Sequence, residues 1–350
     1  MHKIWELTTS RGCQIQSYYP TVPVDHGPWP GNEDSFNCFI PSSLSYLAVG
    51  APGEHVGFFP KALDEICQLR SLLIPDCYLS YQSLSILSQH CPFLEELALS
   101  AISGQKSGVG LSEPIFPKLQ RLSVEYYIPD ECLLQLTKSG TLQKLDLTDV
   151  KLAILLKLLT RNPDLVHFSC HIEDDSISVQ DLIEERLGNL PHLETVALQI
   201  APDVTWKPSS LAQTERSCRF PKLQSFRVSP TDTTTAGSLI VPADSGSSFS
   251  RLFHGVTTLS LSGLKLNCEL FFPLLEELQL DSIELRTSES GIRVGPSFRS
   301  LKIERGDIDQ RRVLVDSIEP NLTDLKLYID GFDGVSPSIY VDYLNTFTTL

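Results

Sequence analysis

Six side chains between positions 167 and 175 have the chemistry to hold a metal ion: His167, Cys170, His171, Glu173, Asp174 and Asp175. Imidazole, thiolate and carboxylate are all zinc ligands. An extended backbone here places His167 and His171 on one face and Cys170 on the other, so the three do not converge and no structural metal is expected. The nine cysteines are Cys13, Cys38, Cys67, Cys77, Cys91, Cys132, Cys170, Cys218 and Cys268, an odd number with wide spacing and no Cys-x-x-Cys. That pattern reads as reduced thiols used as small apolar residues. Nucleophile and phosphate motifs are missing too. There is no G-x-S-x-G elbow and no GxxxxGK[ST] loop, and Gly108-Val109-Gly110 stops short of a dinucleotide fingerprint. The expectation is a chain that is not an enzyme and carries no cofactor.

Composition narrows the class further. The chain has 350 residues, with 28 Lys plus Arg against 43 Asp plus Glu, a net charge of −15. A general nucleic-acid binder needs clustered cations to neutralise phosphates, and a polybasic membrane anchor needs them as well. Neither partner is expected. Hydrophobic content of 41% and charged content of 20% suit a globular chain. The apolar run from Lys151 to Leu159 is too short to span a bilayer and reads as a packed helix. The start, Met1-His2-Lys3-Ile4-Trp5-Glu6-Leu7, lacks the apolar core of a signal peptide. A cytoplasmic or nuclear location is therefore expected, and the sequon Asn321-Leu322-Thr323 is given no weight.

What must position any functional residue is a repeat. A phrase L-x-x-L-x-L recurs along the chain, as Leu44 to Val49, Leu69 to Ile74, Leu94 to Leu99 and Leu119 to Val124. It continues at Leu142 to Leu147, Leu165 to Cys170, Leu193 to Leu198, Leu223 to Val228 and Val256 to Leu261, then at Leu275 to Leu280, Phe298 to Ile303 and Leu322 to Leu327. Its central anchors are Leu47, Leu72, Leu97, Leu122, Leu145, Phe168, Val196, Phe226, Leu259, Leu278, Leu301 and Leu325. They are spaced 25, 25, 25, 23, 23, 28, 30, 33, 19, 23 and 24 residues apart. Whole phrases return: Phe116-Pro117-Lys118-Leu119-Gln120 reappears as Phe220-Pro221-Lys222-Leu223-Gln224.

These phrases resemble the leucine-rich repeat, whose period is 20–29 residues. The resemblance covers about residues 42–350. It implies an α/β fold: a curved leucine-rich-repeat solenoid, with a short parallel strand per repeat on a concave sheet and helical or irregular segments behind. About twelve repeats are expected over 44–350, with long loops at 200–219 and 229–254, where Ser, Thr, Gly and Pro dominate. Helix-like apolar spacing occurs at Ser80–His90, Pro129–Lys138, Val150–Thr160, Ser178–Leu187, Asp307–Ile318 and Ser338–Tyr343. Residues 1–43 are proline-dense and read as an irregular cap or leader. Leu344–Leu350 looks like a thirteenth phrase cut mid-strand, as in a fragment or a bare edge.

The phrase Cys91-Pro92-Phe93-Leu94-Glu95-Glu96-Leu97 is similar to one common in F-box leucine-rich-repeat proteins. It implies the substrate-recognition part of a ubiquitin ligase receptor; a scaffold or enzyme-regulatory binding protein is the alternative. Residues 1–43 lack the three-helix spacing of an F-box. A Skp1-type adaptor is therefore expected only if an F-box lies outside this chain.

In a repeat strand the third, fifth and seventh phrase positions point away from the core. A protein partner is expected on that concave face. The candidate residues fall in two groups: Glu96, Arg121, Glu125, Lys144, Asp146, His167 and His171, then Glu277, Asp281, Lys302, Glu304, Asp324, Lys326 and Tyr328.

Overall fold

The computed structural model describes residues 17–18, 45–48, 68–103, 115–148, 150–172, 181–200, 220–230, 239–285, 290–304 and 323–328. The chain divides into two compact units, Met1–Cys170 and His171–Leu350.

In the first unit the strands are β1 (Ser17–Tyr18), β2 (Tyr46–Ala48), β3 (Ser71–Ser80), β4 (Glu96–Ser103), β5 (Arg121–Tyr127), β6 (Lys144–Leu147) and β7 (His167–Ile172). They lie side by side in chain order and all pair in parallel. The anchors are the register: Leu47 pairs with Leu72, then Leu97, Leu122, Leu145 and Phe168. Behind the sheet run α1 (Tyr81–His90), α2 (Asp130–Leu136) and α3 (Leu152–Arg161). All three lie within the stretches whose apolar spacing predicts helix, except that α3 extends one residue beyond. Ile154, Leu155, Leu158 and Leu159 of α3 are buried, so the run that could suggest a membrane segment is a packed helix. Among the described residues no helix is long and apolar enough to cross a membrane.

The physical reason for the stacking is visible in any repeat. Leu94, Leu97 and Leu99 are at most 1% exposed, as are Leu119, Leu122 and Val124 in the next. Each such side chain is worth about 1.5–3 kcal/mol when fully buried, and only the neighbouring repeat can bury it. The backbone is satisfied in the same periodic way. The Arg70 carbonyl accepts the N–H groups of Glu95 (2.7 Å) and Glu96 (2.9 Å), and the Glu95 carbonyl those of Gln120 (2.8 Å) and Arg121 (2.9 Å). One carbonyl, with its two lone pairs, thus closes two donors at each of these strand entries. Asn162, fully buried, does the same at the end of α3: its amide donates to the Leu158 carbonyl (2.8 Å) and its oxygen accepts from the Leu142 N–H (3.4 Å).

The second unit carries β8 (Thr195–Ile200), β9 (Ser225–Pro230), β10 (Leu239–Val241), α4 (Gly246–Leu252), β11 (Thr258–Ser262), β12 (Leu264–Leu266), β13 (Glu269–Phe272), β14 (Glu277–Asp281), β15 (Glu284–Leu285), β16 (Gly291–Val294), β17 (Ser300–Glu304) and β18 (Asp324–Tyr328). Its repeat strands pair in parallel in the order β8, β9, β11, β14, β17, β18, with Val196, Phe226, Leu259, Leu278, Leu301 and Leu325 in register. Two smaller parallel sheets accompany them, β10-β12-β15 and β13-β16. Each unit therefore has the α/β leucine-rich-repeat architecture.

Three local readings differ from the sequence-based expectation. The proline-dense leader contributes a strand, since Ser17 and Tyr18 pair with Tyr46 and Leu47. The segment expected to be a loop over 229–254 holds β10, a 3-10 turn at Ala243–Ser245 and α4. Its Phe249 and Phe253 are buried; Phe253 packs 4.3 Å from Phe226 and 5.1 Å from Phe249, centroid to centroid. Where helix was expected over Ser178–Leu187, a π-type turn at Asp181–Arg186 runs into a 3-10 turn at Leu187–Asn189. The expected helices at Asp307–Ile318 and Ser338–Tyr343, and the loop beyond Ile200, lie outside the described residues.

Candidate functional site

The parallel register aligns the third phrase position of the first unit into one row. Tyr46, Ser71, Glu96, Arg121, Lys144 and His167 are successive Cα partners. Neighbouring strands lie about 4.8 Å apart, so these side chains form a continuous file across the sheet. Arg121, Lys144 and His167 are exposed. Glu96 is held from both sides: Ser71 Oγ donates to its Oε2 at 2.8 Å, and Arg121 Nη1 lies 3.5 Å from the same oxygen. The fifth positions beside the row are Ala98, Ser123, Asp146 and Ser169, all half-buried. Small side chains there leave the longer basic ones standing clear.

The far end of β5 breaks the alternation. Leu99 pairs with Val124, but Ala101 pairs with Tyr127, so two residues of β5 oppose one of β4. A bulge of this kind re-aims side chains. Tyr126, on the inward parity of the strand, is exposed in consequence (53%), beside Glu125 and Tyr127 (58%), which alternation already turns outward. Thr148 of the following repeat secures the bulge. Its single hydroxyl proton is shared between the carbonyl oxygens of Glu125 and, at 2.8 Å, Tyr126.

In the second unit the third-position row reads Thr195, Ser225, Thr258, Glu277, Ser300 and Asp324. The fifth-position row ends Gln279, Lys302, Lys326, and the seventh runs Asp281, Glu304, Tyr328. Asp281 corrects the expectation of an open contact. It is 8% exposed, and its carboxylate accepts from Ser262 Oγ and Ser282 Oγ, both at 3.1 Å. The cause is the turn that begins there. Ser282 has φ +53°, and the chain bends away toward β15 with the Asp281 side chain tying the corner. His171 is half-buried, whereas His167 is open. The sequence therefore brings together the third-position residues as expected, while the seventh position varies from repeat to repeat with the way each strand ends.

Catalytic chemistry finds no support in the thiols. Cys91, Cys132, Cys170 and Cys268 are buried thiols outside any disulfide. Burial, together with the nearby Asp244 charge, pushes the Cys268 thiol from 9.0 to about 11. A neutral buried thiol is a poor nucleophile. Cys170 is buried while His167 on the same strand is exposed, and among the described residues no group of three or more His, Cys, Asp or Glu is placed to hold a metal. Glu173, Asp174 and Asp175 lie outside those residues.

No family model matches the sequence, and no curated protein matches it. Solved structures do. The leucine-rich-repeat ectodomain of the Arabidopsis receptor kinase HAESA, in complex with an N-terminally extended IDA peptide hormone, is 15% identical over 82% of this chain and 55% of its own, with a TM-score of 0.41. A leucine-rich-repeat protein of Leptospira interrogans is 12% identical over 87% of this chain and 88% of its own, TM-score 0.37. The TLR13–ssRNA13 complex is 16% identical over 92% and 56%, TM-score 0.33. The chain thus spans little more than half the length of the HAESA and TLR13 chains.

Proposed function

We propose that this chain is a non-enzymatic protein-interaction module that seats its partner on the open face of the repeat strands. One observation carries the reading: in the first unit, Arg121, Lys144 and His167 are exposed in one strand-to-strand file above half-buried Ser123, Asp146 and Ser169. Repeat stacks present extended surfaces of this sort to partners, and Arg and Tyr are enriched among interface anchors. A steric block tests it. Ser123→Trp fills the face at its middle, whereas Lys157→Trp adds the same bulk on the exposed side of α3. Affinity capture followed by mass spectrometry should lose its specific partners with Ser123→Trp and keep them with Lys157→Trp. Equal capture by both variants would contradict the reading.

The narrower reading, a substrate-recognition part of an F-box-type ubiquitin ligase receptor, draws on the phrase Cys91–Leu97. In the structure Cys91 follows α1, Pro92 and Phe93 turn at the surface, and Leu94 and Leu97 are buried. That arrangement suits any repeat entry, so a scaffold or enzyme-regulatory binding role is served equally. Co-purification with a Skp1-type adaptor separates them. The expected result is that this chain alone does not retain the adaptor, because residues 1–43 lack three-helix spacing; stoichiometric retention would favour the ligase role.

A further inference from the structure

The file Arg121, Lys144, His167 breaks a rule of sheet pairing. Side chains of like charge on directly paired positions repel, yet Arg121 pairs with Lys144 and is not separated from it by an acid. Glu96 relieves only one end of the file, at 3.5 Å from Arg121. Lys144 has no ion pair among the described residues, although the chain as a whole carries 43 acidic against 28 basic side chains. A local conflict of this kind in an otherwise consistent fold marks a place kept for binding. In the second unit the corresponding row, Thr258, Glu277, Ser300, Asp324, sets each acid beside a neutral hydroxyl.

We infer that the open face of β5–β7 binds a short acidic segment of a partner protein, its carboxylates lying on Arg121, Lys144 and the imidazole of His167. The inference rests on the interaction-module reading and specifies its partner. A guanidinium matches a carboxylate in two-pronged geometry, and an ammonium neutralises a second as a point charge. The half-buried Ser123 and Ser169 leave room for the segment's backbone. Acids around the file define how long the segment's charged part is. Glu96 lies beyond Arg121 and Glu125 near the far end of β5, while Asp146 lies inside the face between Ser123 and Ser169, so a continuous polyanion meets acids both beside the file and beneath it. A nucleic acid, with a charge on every phosphate, fits this surface worse than a peptide with two or three carboxylates.

The test is selection of random twelve-residue peptides displayed on phage against the full chain, at low salt. Selected peptides should be rich in Asp and Glu. A synthetic copy of one should bind the double variant Arg121→Glu/Lys144→Glu at least roughly tenfold more weakly and should lose affinity as salt screens the contact. Its Asn/Gln counterpart should bind no better to the wild type than to the variant. If the double variant fails to fold by circular dichroism, Lys144→Gln/His167→Gln takes its place. Selected peptides without acidic enrichment, or binding unchanged in the variant, would overturn the inference. Displacement of the acidic peptide by a single-stranded twelve-nucleotide DNA would overturn it in favour of nucleic acid. Non-acidic peptides that bind and are lost with Ser123→Trp would leave the interaction module standing and remove only the acidic partner; failure to select any peptide would count against both.

Discussion

Glu96 and Arg121, on adjacent strands and paired in register, bring Oε2 and Nη1 to 3.5 Å, while Ser71 donates to the same oxygen from the other side. The arginine is thereby aimed across the sheet at modest cost, because an ion pair this exposed is worth about 0–1 kcal/mol. Glu96→Gln should leave the melting temperature nearly unchanged, and it should strengthen binding of an acidic peptide, by up to about fivefold, since each 1.4 kcal/mol is a factor of ten. Titration by fluorescence anisotropy reads this. A large loss of stability, or weaker peptide binding, would show that Glu96 has a structural role instead.

Leu97 is fully buried between Leu72 and Leu122 in the anchor file. Leu97→Asp places an unpaired charge there, a change in the class that costs more than about 4 kcal/mol. Loss of the cooperative melting transition, or its displacement by many degrees, is the expected result. A soluble variant with an unchanged transition would contradict the stacking register.

Gly246 opens α4 so close to β13 that an added Cβ would meet the Glu269 carbonyl oxygen at 2.5 Å and Cys268 Sγ at 3.1 Å. The backbone oxygen cannot swing aside, so Gly246→Ala should cost about 1–3 kcal/mol, the range for overpacking a tight site. Gly291→Ala is the control, since a Cβ there meets nothing within 4 Å. Urea denaturation of the two variants should separate them. If they lose stability equally, α4 does not pack as described.

The Cys268 thiol gives the fold a defined response to alkali. Burial raises its pKa from 9.0 to about 11, so between those values the folded chain keeps a proton that the unfolded chain releases. The stability it contributes is complete below about pH 9 and falls as the pH rises toward 11. Denaturant midpoints measured at pH 8 and pH 10.5 should drop more steeply for the wild type than for Cys268→Ala. Parallel behaviour of the two would show that the thiol ionises in the folded state as readily as in water.

The anchors were legible because a period near 25 residues repeats one physical demand, burial of three apolar side chains per strand, and every repeat answers it alike. Helices α1 to α3 were legible for the same reason, having enough turns to show spacing. Helix α4 was not, although Phe249, Leu252, Phe253 and Val256 stand at helical intervals; the Ser- and Gly-rich residues before it read as loop. Strands of two to four residues such as β1, β10 and β13 are too short to show alternation. The third-position file of the site could be read from phrase position alone, because a shared carbonyl fixes each strand entry from β3 to β7. The burial of Asp281 and the exposure of Tyr126 could not, since they depend on where a strand ends or bulges.

Partners are proposed to meet the open strand face and not the helices behind it. Site-specific photo-crosslinking tests this most directly, with benzoylphenylalanine placed at Ser123 in one preparation and at Lys157 of α3 in another, each irradiated with a partner or a selected peptide. Covalent adducts are expected from position 123 and none from position 157. Adducts from position 157 alone, or from neither position, would contradict it.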